Sequence, residues 1–138
     1  MKYFFILILI LLQSCKQYVP KEIPESQAYF LDGFQDKAFF KTFHQFPILE
    51  ARAFAPISIK QLNELLEDDK NFDGFGAPCF EPNLGFQIVL PDKSIKTILV
   101  SIDCSQVFIY ENNNKKVNIL SPIGKDKFKA FMHQLFKR

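Results

Sequence analysis

In three segments of the chain, apolar residues recur at intervals of three and four, the spacing that places side chains on one face of an α-helix. The segments are 35–46, a stretch that begins at Ser58, and a stretch from about Lys125 to Phe136. Gln61 lies three residues after Ser58, which is the pattern of a capping box and predicts the start of the second helix. The apolar residues that define the three predicted helices are Phe39, Phe40, Phe43 and Phe46, then Ile59, Leu62, Leu65 and Leu66, and finally Phe128, Phe131, Met132, Leu135 and Phe136.

Between these segments, short apolar or alternating runs predict β-strands. The runs 85–90 and 95–103 flank a turn and predict an antiparallel hairpin. A strand is also predicted at 48–55, another begins at Gln106, and a short last one covers 117–120. The order predicts an α+β fold, in which a mainly antiparallel sheet of four to five strands carries about three helices on one face.

The beginning of the chain has a different pattern. Ten apolar or aromatic residues follow one another from Tyr3 to Leu12, with Lys2 before them and Gln13 after them. A membrane-spanning helix needs about 20 apolar residues, so this run is too short to cross a bilayer. A short apolar run behind a positive charge is typical of a secretory signal peptide.

The residues Leu12-Gln13-Ser14-Cys15 resemble the lipobox of bacterial lipoproteins, which has an aliphatic residue three positions before a cysteine and a small residue directly before it. Gln13 departs from the small or hydroxyl residue that is usual at its position. The resemblance implies that residues 1–14 are a lipoprotein signal peptide, removed after a diacylglycerol is attached to the Cys15 sulfur. It also implies fatty acyl chains such as palmitate on Cys15, which would anchor the protein to a membrane of the cell envelope. An ordinary secretory signal is the alternative.

Residues 15–27 predict a tether, and residues 28–138 a single α+β domain. The tether carries two prolines and mixed charges and has no helical or strand period. Lys16 follows the predicted lipidated cysteine, where aspartate is the inner-membrane retention signal of lipoproteins in some two-membrane bacteria. The resemblance therefore favours the outer membrane if the bacterium has two membranes.

Charge and composition exclude some classes of protein. Removal of the leader, which contains one lysine, would leave sixteen basic and fifteen acidic residues, a net charge of +1. A dedicated nucleic-acid binder would be strongly basic, so we expect no nucleic-acid partner. Apolar residues make up 48% of the chain, which is typical of a folded protein rather than a disordered one.

The chain has three cysteines: Cys15, Cys79 and Cys104. If Cys15 carries lipid, an even pair remains in an exported protein, and export favours disulfides. With the predicted hairpin turning at 92–93, Cys104 would lie opposite Glu81, two residues from Cys79. We therefore expect a disulfide between Cys79 and Cys104. Two buried free thiols are the alternative.

The stretch Cys79-Phe80-Glu81-Pro82, followed by a hairpin and by Cys104, resembles a loose group of small exported bacterial proteins. They share a Cys-Phe-x-Pro stretch, a strand, and a second cysteine near the end of the next strand. Asn83 and Leu84 stand where the group has basic and histidine residues. The resemblance spans about 30 residues, implies no activity, and supports placing both cysteines in one local structure.

Asp69, Asn71 and Asp73, with Gly74, match the first half of a calcium-binding loop. The second half is missing, because Phe80 stands where the bidentate glutamate belongs, so a polar loop at a helix end is the preferred interpretation. His44 and His133 lie on predicted polar helix faces, far apart in the chain. No catalytic residues, metal ligands or cofactor are predicted.

We therefore predict a membrane-anchored lipoprotein that acts as a non-catalytic binding or envelope-interaction module, with a protein or small ligand as its unidentified partner. An enzyme of unrecognised type at the cell envelope is the alternative. An exposed apolar groove without clustered polar groups would favour binding. A pocket that joins His44 or His133 to carboxylates would favour catalysis.

Overall fold

The computed structural model describes residues 25–33 and 41–137, and in them the chain forms one antiparallel sheet of seven strands that curls into a half-barrel. The order of the strands across the sheet is β2-β3-β1-β4-β5-β6-β7. The strands are β1 (Gln27–Leu31), β2 (Thr42–Phe43), β3 (Phe46–Ala53), β4 (Leu84–Val89), β5 (Ile95–Ser101), β6 (Gln106–Glu111) and β7 (Asn114–Ile119).

Two helices are present in the described residues, α1 (Pro56–Glu67) and α2 (Pro122–Phe136), with a short 3-10 helix at Asp69–Asn71. The predicted fold of four to five strands and about three helices is therefore wrong in both numbers. The predicted periodic faces of the second and third helices are confirmed, because their apolar residues pack against one face of the sheet. Neither helix is long and apolar enough to cross a membrane.

Part of the predicted first helix is a β-hairpin. Phe43 pairs with Phe46, and His44 and Gln45 form the turn between them with φ angles of 48° and 77°. Two successive residues with positive φ are incompatible with a right-handed helix and are typical of a type I′ hairpin turn. The predicted members Phe39 and Phe40 lie outside the described residues. A helical spacing of phenylalanines was therefore misleading here, because Phe43 and Phe46 pack on one face of the sheet.

Strand β1, which lies inside the sheet, was not predicted. It pairs with β3 on one side and β4 on the other, so it is hydrogen-bonded along both edges. Ala28 and Phe30 face the helices, whereas Tyr29 and Leu31 face the opposite side. Since both faces are apolar, β1 lacks the alternation that marks a half-buried strand.

The predicted β4–β5 hairpin is confirmed with a shift in register. The Leu90 N–H donates to the Ser94 carbonyl oxygen (2.9 Å) and the Lys93 N–H to that of Leu90 (2.8 Å), so three residues form the loop. Leu84 consequently pairs with Val100, one position from the register predicted with a two-residue turn.

The capping box predicted at Ser58 is absent. Helix α1 begins at Pro56, its N-cap is Ala55, and no side chain caps it. Proline at the first helical position needs no partner for an N–H and supplies a helical φ angle, so it starts the helix two residues earlier. Helix α2 does have a side-chain cap, because Ser121 Oγ accepts a hydrogen bond from the Gly124 N–H (3.1 Å).

The sheet carries a hydrophobic cluster on each face. The larger one lies beneath the helices and includes Phe86, Ile98 and Phe128, all fully buried. The smaller one lies on the opposite face, where no helix of the described residues packs. The members of the smaller cluster are Leu31, Phe43, Phe46 and Leu99, with Tyr29, Ile48, Phe80, Phe108 and Tyr110 at its margin.

Candidate functional site

A disulfide joins Cys79 to Cys104, as predicted, with their Cα atoms 5.6 Å apart. It ties the loop before β4 to the residues that follow β5, and Cys104 is buried. The Gln106 side-chain amide donates to the carbonyl oxygen of Ala77 in the same loop (2.7 Å). The cysteine pair therefore holds a loop against the sheet. The other predicted site cysteine, Cys15, lies outside the described residues.

The loop held by the disulfide places Phe80 on the face of the sheet opposite the helices. The Phe80 ring stacks on Phe108 with 3.9 Å between the ring centroids and 7° between the ring planes. Behind it, the Glu81 N–H donates to Ser101 Oγ (3.1 Å), and the Ser101 hydroxyl donates to the Glu81 carbonyl oxygen (2.9 Å). The Cys-Phe-x-Pro stretch therefore packs against the sheet through the Phe80 ring and the Glu81 backbone.

The stretch proposed as half a calcium loop connects the two helices. Asn71 is fully buried, its side-chain amide donates to the Leu65 carbonyl oxygen (2.8 Å), and its own carbonyl oxygen accepts the Ser121 N–H (2.9 Å). Asp69 and Asp73 are exposed. Residues 25–33 and 41–137 contain no group of three or more His, Cys, Asp and Glu side chains placed to hold a metal. Asn71 therefore fastens the end of α1 to the start of α2, and calcium binding stays a hypothesis.

The two histidines lie on opposite sides of the sheet. His44, in the β2–β3 turn, stacks on Tyr110 with 5.4 Å between the ring centroids and meets the Phe43 ring edge-on at 5.0 Å. His44 remains exposed, but these rings cover part of the imidazole, and this partial desolvation lowers the pKa of His44. His133 is exposed on α2. The structure does not bring the two histidines together.

On the face of the sheet opposite the helices, the described residues form a layer of rings. Phe43 lies directly over Gly85, since a Cβ atom at position 85 would come within 2.6 Å of the ring. Tyr29 packs on Phe43 with 4.4 Å between the ring centroids. Burial raises the pKa of both Tyr29 and Tyr110. We call the set Tyr29, Phe43, Phe46, Phe80, Phe108 and Tyr110 the aromatic face.

Lys115 of β7 lies on this layer. Its ammonium nitrogen is 4.1 Å from the centroid of Phe108 and 5.9 Å from that of Tyr110. A cation over an aromatic ring is attracted by the negative face of the ring. The lysine stem also covers apolar surface while its charge remains near water. One margin of the aromatic face is therefore both apolar and positively charged.

The hairpin formed by β6 and β7, here called the ribbon, lies at one side of the sheet, and residues 114–117 of β7 are exposed. A groove of about 410 Å³ lies between α1 and the helix-facing side of the ribbon, and polar and charged side chains line most of it, with Leu66 and Ile109 as its two apolar residues. Lys96 and Glu111 form an ion pair in this groove (3.7 Å). A second groove of about 510 Å³ lies on the other side of the ribbon, beside Thr97 and Tyr110. The tip of the ribbon, Asn112–Asn114, therefore borders both grooves.

The outer edge of the ribbon is a free strand edge. β7 pairs only with β6 among the described strands. The Leu120 N–H donates to the Ser105 carbonyl oxygen (2.8 Å), so these two residues are a hydrogen-bonded pair. In an antiparallel ladder, bonded pairs alternate with non-bonded pairs, and the backbone groups of non-bonded pairs point away from the partner strand. Counting back from Leu120, Lys115 and Val117 belong to non-bonded pairs. The N–H and C=O groups of Lys115 and Val117 consequently point away from β6. No hydrogen bond from residues 25–33 or 41–137 reaches them.

Sequence reasoning found β6 but only the second half of β7. The signal for the whole ribbon was present in Asn112 and Asn113, whose φ angles are 49° and 64°. Two such residues between strands form a type I′ turn, for which asparagine is well suited. Strand β7 therefore begins directly after them, at Asn114.

Comparison with family models, with curated protein sequences and with solved structures gives no match to this chain.

Proposed function

We propose that the protein is a bacterial lipoprotein, anchored in the envelope through acyl chains on Cys15, with the outer membrane as its place in a two-membrane bacterium. The order of apolar run, small residue and cysteine at Leu12–Cys15 supports the anchor. Strand β1 begins at Gln27, so the eleven residues 16–26 separate Cys15 from this strand. Fully extended, such a tether spans up to about 35 Å, enough to hold the domain clear of the lipid headgroups.

The anchor is tested by the Cys15→Ala variant. We expect the wild-type protein in the membrane fraction, with an intact mass that exceeds the mass of residues 15–138 by its acyl groups. The variant should lack that added mass and leave the membrane fraction. A wild-type protein that retains Met1 and carries no added mass would contradict the anchor.

We further propose that the domain is a non-catalytic binding module and that the ribbon is its contact surface. The observation that carries this proposal is the exposure of the ribbon on three sides: a groove on each face and an unpaired edge. Asparagine and lysine side chains surround apolar Ile109 and Val117, a mixture that suits recognition of a polar partner.

Photocrosslinking in cells tests this surface. A photoreactive phenylalanine analogue is placed at Lys116 on the ribbon or, as a control, at Lys60 on α1, whose side chain is 72% exposed. We expect a discrete adduct of higher mass from position 116 and none from position 60. Equal adducts at both positions, or none at 116, would exclude the ribbon as the contact surface.

A further inference from the structure

We propose that the free edge of β7 binds an extended acidic segment of a partner protein as an eighth strand of the sheet. This inference rests on the proposed binding function and specifies its mode and the chemistry of the partner. Strand addition uses main-chain hydrogen bonds for affinity and alternating side chains for specificity.

The backbone of β7 has the groups that strand addition needs. The outward N–H and C=O groups of Lys115 and Val117 form a repeat of two residues, as at any antiparallel strand edge. Beyond them, Ile119 lies beside Gly76, because a Cβ atom at position 76 would come within 3.0 Å of the Ile119 side chain. The accessible part of the edge is therefore the half next to the Asn112–Asn113 turn.

The charge of this edge selects the partner. Strand β7, with the sequence Asn-Lys-Lys-Val-Asn-Ile, contains two lysines and no acidic residue. Lys115 and Lys116 form no ion pair with a described residue, and the nearby Glu111 is paired with Lys96. The two lysines point to opposite faces of the sheet. Two neighbouring acidic residues in an added strand would therefore meet one lysine on each face.

Val117 supplies an apolar contact next to the lysines. Its side chain is 46% exposed and lies on the aromatic face, across from Phe108. An apolar residue opposite Val117 would extend this face by one side chain. The preferred antiparallel segment therefore contains an apolar residue followed by two acidic residues.

A second copy of the chain fits the same edge poorly. With Gly76 beside Ile119, the register that uses the open half of β7 is centred on Lys116. Two-fold antiparallel pairing in that register places the Lys116 side chains of the two copies directly opposite each other. Like charges in directly opposite positions destabilise a pair of strands.

The test uses the full-length protein and a fluorescein-labelled eight-residue peptide with the central sequence Val-Glu-Glu flanked by threonines. Fluorescence anisotropy measures binding, and hydrogen exchange of the backbone amides reports where the peptide lies. We expect saturable binding that slows exchange at Lys115 and Val117. The double variant Lys115→Glu/Lys116→Glu should weaken binding by about tenfold or more and bind a Val-Lys-Lys peptide in its place.

The Val117→Pro variant separates strand addition from simple charge attraction. Proline removes only the outward N–H at position 117, so the β6–β7 ladder keeps its hydrogen bonds. Binding should fall by about tenfold or more in Val117→Pro and remain near the wild-type value in Val117→Thr, which keeps the N–H and the branched shape. Circular dichroism checks that both variants are folded.

Three outcomes would overturn the inference: no binding of the acidic peptide, unchanged binding to Val117→Pro, or a concentration-dependent dimer that involves β7. If position 116 still crosslinks in cells while the peptide fails, strand addition is wrong and the binding function stands. If both experiments fail, the proposed binding function is wrong as well.

Discussion

Two hairpins of the same sheet, β4–β5 and the ribbon, differ in what covers them. In β4–β5, Leu84, Phe86, Ile98 and Val100 are fully buried beneath the helices. In the ribbon, every residue of β7 from Asn114 to Val117 is exposed. Both hairpins have tight turns, but β4 and β5 are mostly apolar, whereas β7 contains two lysines and two asparagines. This composition agrees with the position of the strands, because β4 and β5 lie inside the sheet and β7 is at an edge.

The difference separates stability from interaction. A central strand is bonded along both edges and covered on both faces, so its side chains contribute apolar burial and its backbone is unavailable to partners. An edge strand has unpaired backbone groups, which proteins commonly protect with charged residues such as lysine. In β7, Lys115 and Lys116 reduce indiscriminate pairing and, by the proposal above, select an acidic partner.

The largest effect is expected from the central hairpin. Phe86→Ala removes a fully buried ring that packs against Phe54 (5.1 Å) and Phe131 (6.0 Å). It should lower the free energy of unfolding by about 3–5 kcal/mol, because it leaves a cavity in the core. Val117→Ala on the ribbon should change it by no more than about 0.5 kcal/mol. Urea denaturation measures both; similar losses would contradict the assigned roles of the two hairpins.

The disulfide joins the loop that carries Phe80, before β4, to the turn between β5 and β6. Replacing both Cys79 and Cys104 with serine should lower the free energy of unfolding by about 2–4 kcal/mol, mainly by freeing the unfolded chain. The measurement is thermal unfolding with and without reductant. Reductant should lower the Tm of the wild-type protein and leave the Tm of the double variant unchanged. If a reductant that is shown to break the disulfide does not change the wild-type Tm, the disulfide does not stabilise the fold.

A smaller effect is expected at Gly85, where β4 meets the aromatic face. The added methyl group of Gly85→Ala would press on the Phe43 ring and displace the β2–β3 hairpin from the sheet. Overpacking of this kind costs about 1–3 kcal/mol. The exposed Ala51→Ser provides a mild control on β3. Chemical denaturation checks the prediction. If Gly85→Ala is as stable as the wild type, the packing of Phe43 does not require a glycine at position 85.

The smallest effect concerns His44, which contacts the ribbon through Tyr110. Its pKa is lowered by desolvation, so the folded protein disfavours the charged imidazole. The associated stability is complete above the unfolded pKa of about 6.5 and is lost as the pH falls through the lower folded pKa. His44→Gln should remove this component from the pH dependence of stability. Unfolding measured from pH 8 to pH 5 tests it; equal profiles for wild type and His44→Gln would contradict it.

The local pattern of apolar residues predicted those helices and strands that bury a single face. The apolar stripes of α1 and α2 and the alternation in β4 and β5 were sufficient, since each repeats within a few residues. The failures came where neighbours distant in the chain decide the structure. Phe43 and Phe46 repeat as in a helix but pack in a hairpin on the aromatic face, and β1 is apolar on both faces because each face packs into a hydrophobic cluster.

The sequence by itself determined an apolar run at 3–12 that is too short to cross a bilayer, the two helices that cover the sheet, and a cysteine pair expected to bond. Only the tertiary structure decided that β1 lies between β3 and β4, that β7 lies at the edge, and that Asn71 packs inward between the helices. The physical reason is the distance along the chain over which each feature is set. The periodicity of side chains is a property of consecutive residues, whereas the order of strands depends on which strands, distant in the chain, form hydrogen bonds with each other.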